Sequence, residues 1–163
     1  LAFATQAAVC SQCHLQPRAG AWRSAHHPTR EGPASGTSDV GREGAMDCGS
    51  CHNPHGTVTE GLIAATSIND QCYACHADKR GPWLWEHEPV QEDCTNCHSP
   101  HGSIHPSMLK VASPRLCQSC HNPSLHPTEA RTPGSRFVIQ QSCGNCHQLI
   151  HGSNHPSGMF FTR

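Results

Sequence analysis

At 163 residues and a formal net charge of -1, the chain carries 35% hydrophobic and only 5% aromatic residues, against roughly 45–50% apolar residues in an ordinary globular domain. It is too poor in apolar side chains to bury a sizeable core, so it either stays disordered or folds around something else. The charge leaves no basic footprint for nucleic acid, and no apolar run approaches the ~20 residues of a membrane-spanning helix. The nearest candidate, Gly61-Leu62-Ile63-Ala64-Ala65-Thr66, is far too short, and a chain that opens at Leu1 is read as processed or trimmed, its leader or more removed.

One order of elements recurs three times. The first unit opens with Cys10, Cys13 and His14 and runs through His26-His27-Pro28. A Gly-, Ser- and Thr-rich stretch over Glu31–Gly44 reads as an inserted surface loop, after which the unit reaches Cys48, Cys51 and His52 and closes on Pro54-His55-Gly56. In the second unit a short helix is predicted over Ile68–Cys75, carrying Cys72 and Cys75 ahead of His76. Trp83 and Trp85 then precede His87-Glu88-Pro89, and Cys94, Cys97 and His98 lead to Pro100-His101-Gly102. In the third, a predicted helix over Arg115–His121 holds Cys117, Cys120 and His121. His126-Pro127 follows, then Cys143, Cys146 and His147, and finally Ile150-His151-Gly152. Pro and Gly end each short segment.

All twelve Cys thus sit in six C-x-x-C-H motifs. This is the attachment signature of c-type haem. The two thiols add across the two vinyl groups of one porphyrin, and the next His takes the iron as proximal ligand. Zinc ribbons also use C-x-x-C but require no adjacent His, and disulfide frameworks use even Cys counts without this spacing. With 15 His in the chain, finding one after all six pairs by chance is on the order of one in a million. Six haem c are therefore expected, with His14, His52, His76, His98, His121 and His147 as proximal ligands. Haem c is attached outside the cytoplasm, so the expected location is periplasmic, outer-membrane-associated or extracellular. The thiols are consumed by thioether bonds, and no disulfides are expected.

Nine His remain. Each unit supplies one of a His-(x)-Pro type and one of a His-Gly type: His26, His55, His87, His101, His126 and His151. Six irons need six distal ligands for bis-His coordination, and these fill the need. His27 is an alternative to His26, and His105 and His155, each four residues after a His-Gly, are further alternatives. The spacing leaves open which distal His serves which iron, and whether it lies in the same unit. Met46, Met108 and Met159 occupy no repeated position, which argues against His/Met ligation and its higher potentials. Trp83 and Trp85 either stack on a porphyrin or cover its edge, and cover is the simpler reading.

With about 27 residues per haem, the polypeptide is too short to wrap each macrocycle in its own pocket. The haems must touch and serve as the core, with thioether and iron–His bonds as staples. The expected fold is a multihaem cytochrome c with little regular secondary structure: short α-helices and loops round a row of haems, with essentially no sheet. Residues 1–163 are expected to form a single six-haem domain of three two-haem units, about 10–56, 72–102 and 117–152. Haem–haem contact is also what electron hopping needs. Twelve propionates against six singly positive ferric porphyrins take the charge to about -7 when oxidised, which suits basic surfaces on protein redox partners.

The run from His87 to Gly102, the run from Cys143 to Gly158 and Cys72-Tyr-Ala-Cys-His-Ala-Asp-Lys-Arg-Gly-Pro resemble the MtrA/DmsE-type decahaem cytochromes of porin–cytochrome electron conduits. The resemblance covers roughly residues 10–163 and matches the C-terminal six-haem part of that family. It implies bis-His haems in a near-linear chain, passing electrons between periplasmic or inner-membrane donors and external acceptors through an outer-membrane β-barrel, in either direction. Six motifs instead of ten is the departure. The function expected is electron transfer through six haems, without substrate chemistry. The alternative is a subunit of an extracellular cytochrome filament, in which copies meet end to end and His27, His105 or His155 ligates a neighbour's iron. A multihaem reductase is disfavoured, because nine distal candidates exceed six irons and no C-x-x-C-Lys motif is present.

Overall fold

The computed structural model describes residues 5–29, 46–122 and 142–162. The expected loop over Glu31–Gly44 and the candidate ligand His126 lie outside them. Five short helices appear in chain order: α1 (Gln6–Cys10), α2 (Leu15–Gly20), α3 (Ile68–Tyr73), α4 (Glu88–Glu92) and α5 (Arg115–Gln118). Single 3₁₀ turns lie between and after them, and among the described residues there is no strand, only isolated bridges. Among the described residues the chain adopts the expected fold class, short helices without a sheet.

The six motifs share one local structure and split into two kinds. In all six the His N–H donates to the carbonyl of the first Cys, at 2.8 to 3.1 Å, closing one helical turn. The first motif of each unit terminates an α-helix, with Cys10 in α1, Cys72 in α3 and Cys117 in α5. The second opens a 3₁₀ turn at Cys48, Cys94 or Cys143. Each 3₁₀ turn is capped by the residue just before it: Asp47 accepts from the Ser50 N–H, Asp93 from Thr95 and Ser142 from Gly144. These caps satisfy donors that a helical start leaves orphaned.

The predicted helices at Ile68 and Arg115 begin where expected and end two or three residues early, at Tyr73 and Gln118. Beyond them the chain tightens: Cys75 donates to the Cys72 carbonyl and Cys120 to that of Cys117, both i→i+3 bonds that mark a helix winding into a 3₁₀ turn. Pro89 is tolerated in α4 because it lies in the first turn, where no intrahelical donor is needed.

Polypeptide packing is thin. Among the described residues the only buried hydrophobic side chain is Ala7, while Val58, Leu84 and Ile104 stand exposed. The buried polar side chains join segments instead. The Asn69 amide donates to the carbonyls of Val90 and Gln91 and accepts from the Cys94 N–H at 2.8 Å, tying α3 to α4 and to the next motif.

Consecutive units meet through a repeated joint. Ala25 of the first unit and Ser103 of the second exchange both backbone hydrogen bonds, at 3.0 and 2.7 Å. Trp85 and Ser153 do the same one unit on, at 2.9 and 2.9 Å. The glycine before each serine makes the joint possible. Gly102 and Gly152 have φ of +120° and +134°, and a Cβ on either would lie 2.2 Å from the Gly20 carbonyl oxygen or from the Trp83 ring. Only glycine combines that conformation with that approach.

Candidate haem centres

A C-x-x-C-H sequence wound into one helical turn puts positions i, i+3 and i+4 on a single face. The i→i+4 bond present in all six motifs therefore presents two thiols and an imidazole together, as a porphyrin attached through two vinyl groups and its iron requires.

The thiols also place the motifs next to one another. Cys48 lies against Cys10, Cys72 against Cys94 and Cys143 against Cys117, so the two motifs of each unit abut through their first cysteines. Cys51 faces Cys72 and Cys75, and Cys97 faces Cys117 and Cys120, so the second motif of one unit neighbours the first of the next. The six attachment points succeed one another in sequence order. Partial burial, then the Cys10 thiol, pushes Cys48 up to about 11. Partial burial, then the Cys94 thiol, pushes Cys72 up to about 12.

Four histidine pairs cross the unit joints. His52 and His101 have ring centroids 5.9 Å apart, His98 and His151 6.2 Å, His27 and His76 6.3 Å, and His87 and His121 6.0 Å. Two imidazoles on opposite sides of one metal, each at a metal–nitrogen distance of about 2.0–2.1 Å, have centroids about 6.3–6.5 Å apart. The four pairs come within a few tenths of an ångström of that spacing, so these residues fit an iron held between two rings. Among the described residues no three of His, Cys, Asp and Glu converge as a metal-holding group. The four pairs set their donors across a gap, as a porphyrin iron needs.

Each pair contains one ring whose Nδ1–H donates to a backbone carbonyl: His27 to Pro100 at 2.9 Å, His52 to Gly61 at 2.8 Å, His87 to Ile150 at 2.9 Å and His98 to Ser107 at 2.8 Å. A carbonyl only accepts, so the bond fixes the proton on Nδ1 and leaves the Nε2 lone pair for a metal. The anchored ring is the motif's own histidine at second motifs and the His-(x)-Pro histidine serving first motifs. His147 repeats the second-motif pattern, donating to the Phe160 carbonyl at 2.6 Å. Partial burial, followed by His52, His27 and His14, lowers the pKa of His101, and burial, then Lys79, lowers that of His151. Both rings are thus biased toward the neutral form that can ligate a metal.

The structure brings His87, His101 and His151 to motif histidines. In the first unit the ring that meets a motif histidine is His27, while His26 turns its Nδ1 to the carbonyl of Arg23. His55 and His14 meet no other ring among the described residues. His155 bonds Ser157 through Nδ1, and the His105 N–H donates to Ser103. Trp83 packs on Gly152 and Trp85 on Gly158, so both rings cover the joint between the second and third units. The carbonyl anchors were not foreseen. Their signal is the place of Pro100 and Ile150, each two residues before the glycine of a His-Gly.

Residues 41–81 and 87–125 match the family described as the doubled CXXCH motif. Each match joins the second motif of one unit to the first of the next, the other frame in which a two-motif repeat can be read. The multiheme cytochrome MtrA of Shewanella baltica (strain OS185) is 44% identical over 168 residues, which cover 98% of this chain and 47% of that protein. The chain spans about half the length of the curated relative it matches. Among the described residues no helix is long and apolar enough to cross a membrane.

Proposed function

The chain belongs with the MtrA-like multihaem c-type cytochromes, of which it matches a part, and on that premise we propose that it conducts electrons through six bis-histidine haems, as a segment of a periplasm-to-exterior conduit. Haem supplies reversible one-electron chemistry at each iron. The polypeptide attaches the haems, fixes the imidazole tautomers and keeps the attachment points in sequence. The observation that carries the reading is the set of four imidazole pairs at one-iron spacing, each joining neighbouring units.

On this reading His101 serves the iron of His52, His151 that of His98, His27 that of His76 and His87 that of His121. Ligands cross every joint in both directions: a unit gives its His-(x)-Pro imidazole forward and its His-Gly imidazole back. Neighbouring haems are then locked to each other by the ligands that complete them, and with both axial positions filled the irons of these four pairs are closed to substrate. Export follows from the thioether chemistry, and an outer-membrane β-barrel is the partner that the resemblance implies.

The test is the intact mass of the purified protein together with its ferric electron paramagnetic resonance spectrum. Six haem masses per chain and low-spin signals dominating the spectrum are expected. Colourless material, or interior irons that are all high-spin, overturns the proposal.

A further inference from the structure

Among the described residues, the non-glycine residues at positive φ are Leu62, Ser107, Met108 and Phe161, with φ of +57°, +55°, +53° and +52°. Such outliers persist only where their surroundings over-determine them, and they gather at functional sites. All four lie in one repeated turn that follows a second motif, and two successive carbonyls of that turn reach back to the motif's segment. The Gly61 carbonyl accepts from His52 Nδ1–H at 2.8 Å, and the Leu62 carbonyl from the Asn53 N–H at 2.8 Å. Those of Ser107 and Met108 serve His98 and Ser99 in the same way, at 2.8 and 2.8 Å. Those of Phe160 and Phe161 serve His147 and Leu149, at 2.6 and 2.9 Å.

Successive carbonyls of an extended chain point to opposite sides. For two in a row to face one segment, the residue between their peptide planes must rotate one against the other. That residue is Leu62, Met108 or Phe161, and the left-handed region supplies the rotation. Glycine would hold this conformation at less cost, yet each turn carries a full side chain there. Phe161 shows one use for it, since its ring centroid stands 5.4 Å from that of His87, the ring assigned above to the iron of His121.

Resting on the ligation given under the proposed function, we propose that Leu62, Met108 and Phe161 are positioning residues that lower the potentials of the irons of His52, His98 and His147. Each holds the left-handed turn that aims a carbonyl at the motif histidine. An Nδ1–H that donates to a carbonyl makes the imidazole a more basic ligand. Stronger donation favours ferric over ferrous iron, and hydrogen bonding around the ligands is one lever on a haem potential. The first-motif irons of His76 and His121 carry their carbonyl-held ring on the other axial side, at His27 and His87, whose acceptors Pro100 and Ile150 lie outside these turns. The turns therefore act on every second haem in sequence order. Phe161 alone reaches two irons, one through its backbone turn and one through its ring.

The test is a potentiometric titration of the holoprotein, followed by haem absorbance and ferric electron paramagnetic resonance, for Leu62→Val, Leu62→Asn and Leu62→Gly. Valine, branched at Cβ, is a poor occupant of the left-handed region, whereas asparagine and glycine enter it readily. Leu62 is 44% exposed, so its truncation removes little packing. Leu62→Val should raise the potential of one component and leave the others in place, with the low-spin signals kept. Leu62→Asn and Leu62→Gly should titrate as the unaltered protein does. Met108→Val makes the same test at the iron of His98. Phe161→Val should displace two components, and Phe161→Asn should restore the one belonging to His147 alone.

The proposal is overturned if Leu62→Asn shifts the titration as far as Leu62→Val, which assigns the effect to the lost side chain. A shift spread over every component gives the turn a structural role only and overturns it as well. Low-spin signals in the unaltered protein together with unmoved potentials in Leu62→Val and Met108→Val overturn this proposal and leave the ligation standing. Absence of low-spin signals from the unaltered protein overturns the ligation itself, and this proposal with it.

Discussion

A histidine in this chain is defined less by its motif than by what its second ring nitrogen does. The anchored rings His27, His52, His87 and His98 hold Nδ1 on a backbone carbonyl, which fixes the tautomer and raises the basicity of the nitrogen left for iron. His26 also holds Nδ1 on a carbonyl, that of Arg23, so what separates it from His27 is reach: only the His27 ring meets a motif histidine across a joint. His27→Ala is therefore expected to open one iron, adding a high-spin signal and moving that haem's potential by a fraction of the roughly 0.8 V that axial ligands span. His26→Ala should leave both the spectrum and a redox titration unchanged. A buried residue away from the irons gives a stability prediction. Asn69→Ala strands the Cys94 N–H and frees the α4 carbonyls, so it should cost about 1–3 kcal/mol, read by denaturant titration of the holoprotein.

At the scale of elements, the joint between units is the repeating structural event, and its glycine controls it. Gly56 and Gly102 share nearly the same left-handed backbone, at φ of +119° and +120°, but only Gly102 is crowded. Gly56→Ala therefore meets conformational strain alone, about 1 kcal/mol. Gly102→Ala adds collision with the Gly20 carbonyl and should cost about 1–3 kcal/mol more. Thermal melts of the two variants should differ accordingly, and Gly102→Ala alone should disturb the irons of His52 and His76, whose proposed distal ligands cross that joint. The helices on either side are too short to persist alone. They stand because each ends in a motif turn or packs beside one.

At the scale of the molecule, the described residues lack the apolar core that usually holds a domain of this size. One buried hydrophobic side chain among the described residues is far from enough to offset chain entropy of roughly 1–2 kcal/mol per ordered residue. Cofactor attachment and ligation must supply the difference, as metals do in other core-poor scaffolds. The chain expressed without haem attachment is therefore expected to show the far-ultraviolet circular dichroism of an unfolded polypeptide and no protected amides by hydrogen exchange. The holoprotein should melt in a cooperative transition that tracks its haem absorbance.

The c-type haem chemistry and, among the described residues, the absence of a sheet were legible in the sequence, because covalent attachment demands Cys, Cys and His at fixed spacing and a shortage of apolar residues excludes other cores. Helix starts at Ile68 and Arg115 were legible too; their ends were not, because the motif turn tightens the last residues. Which rings come together in the four observed histidine pairs was decided only in three dimensions. Counting back from proline aligns His26 with His87. The backbone bridge instead aligns Ala25 with Trp85, and so His27 with His87, because hydrogen-bond register and not proline spacing sets where the ring is carried. Local spacing dictates what binds one haem, but which two rings meet depends on how one unit is laid against the next.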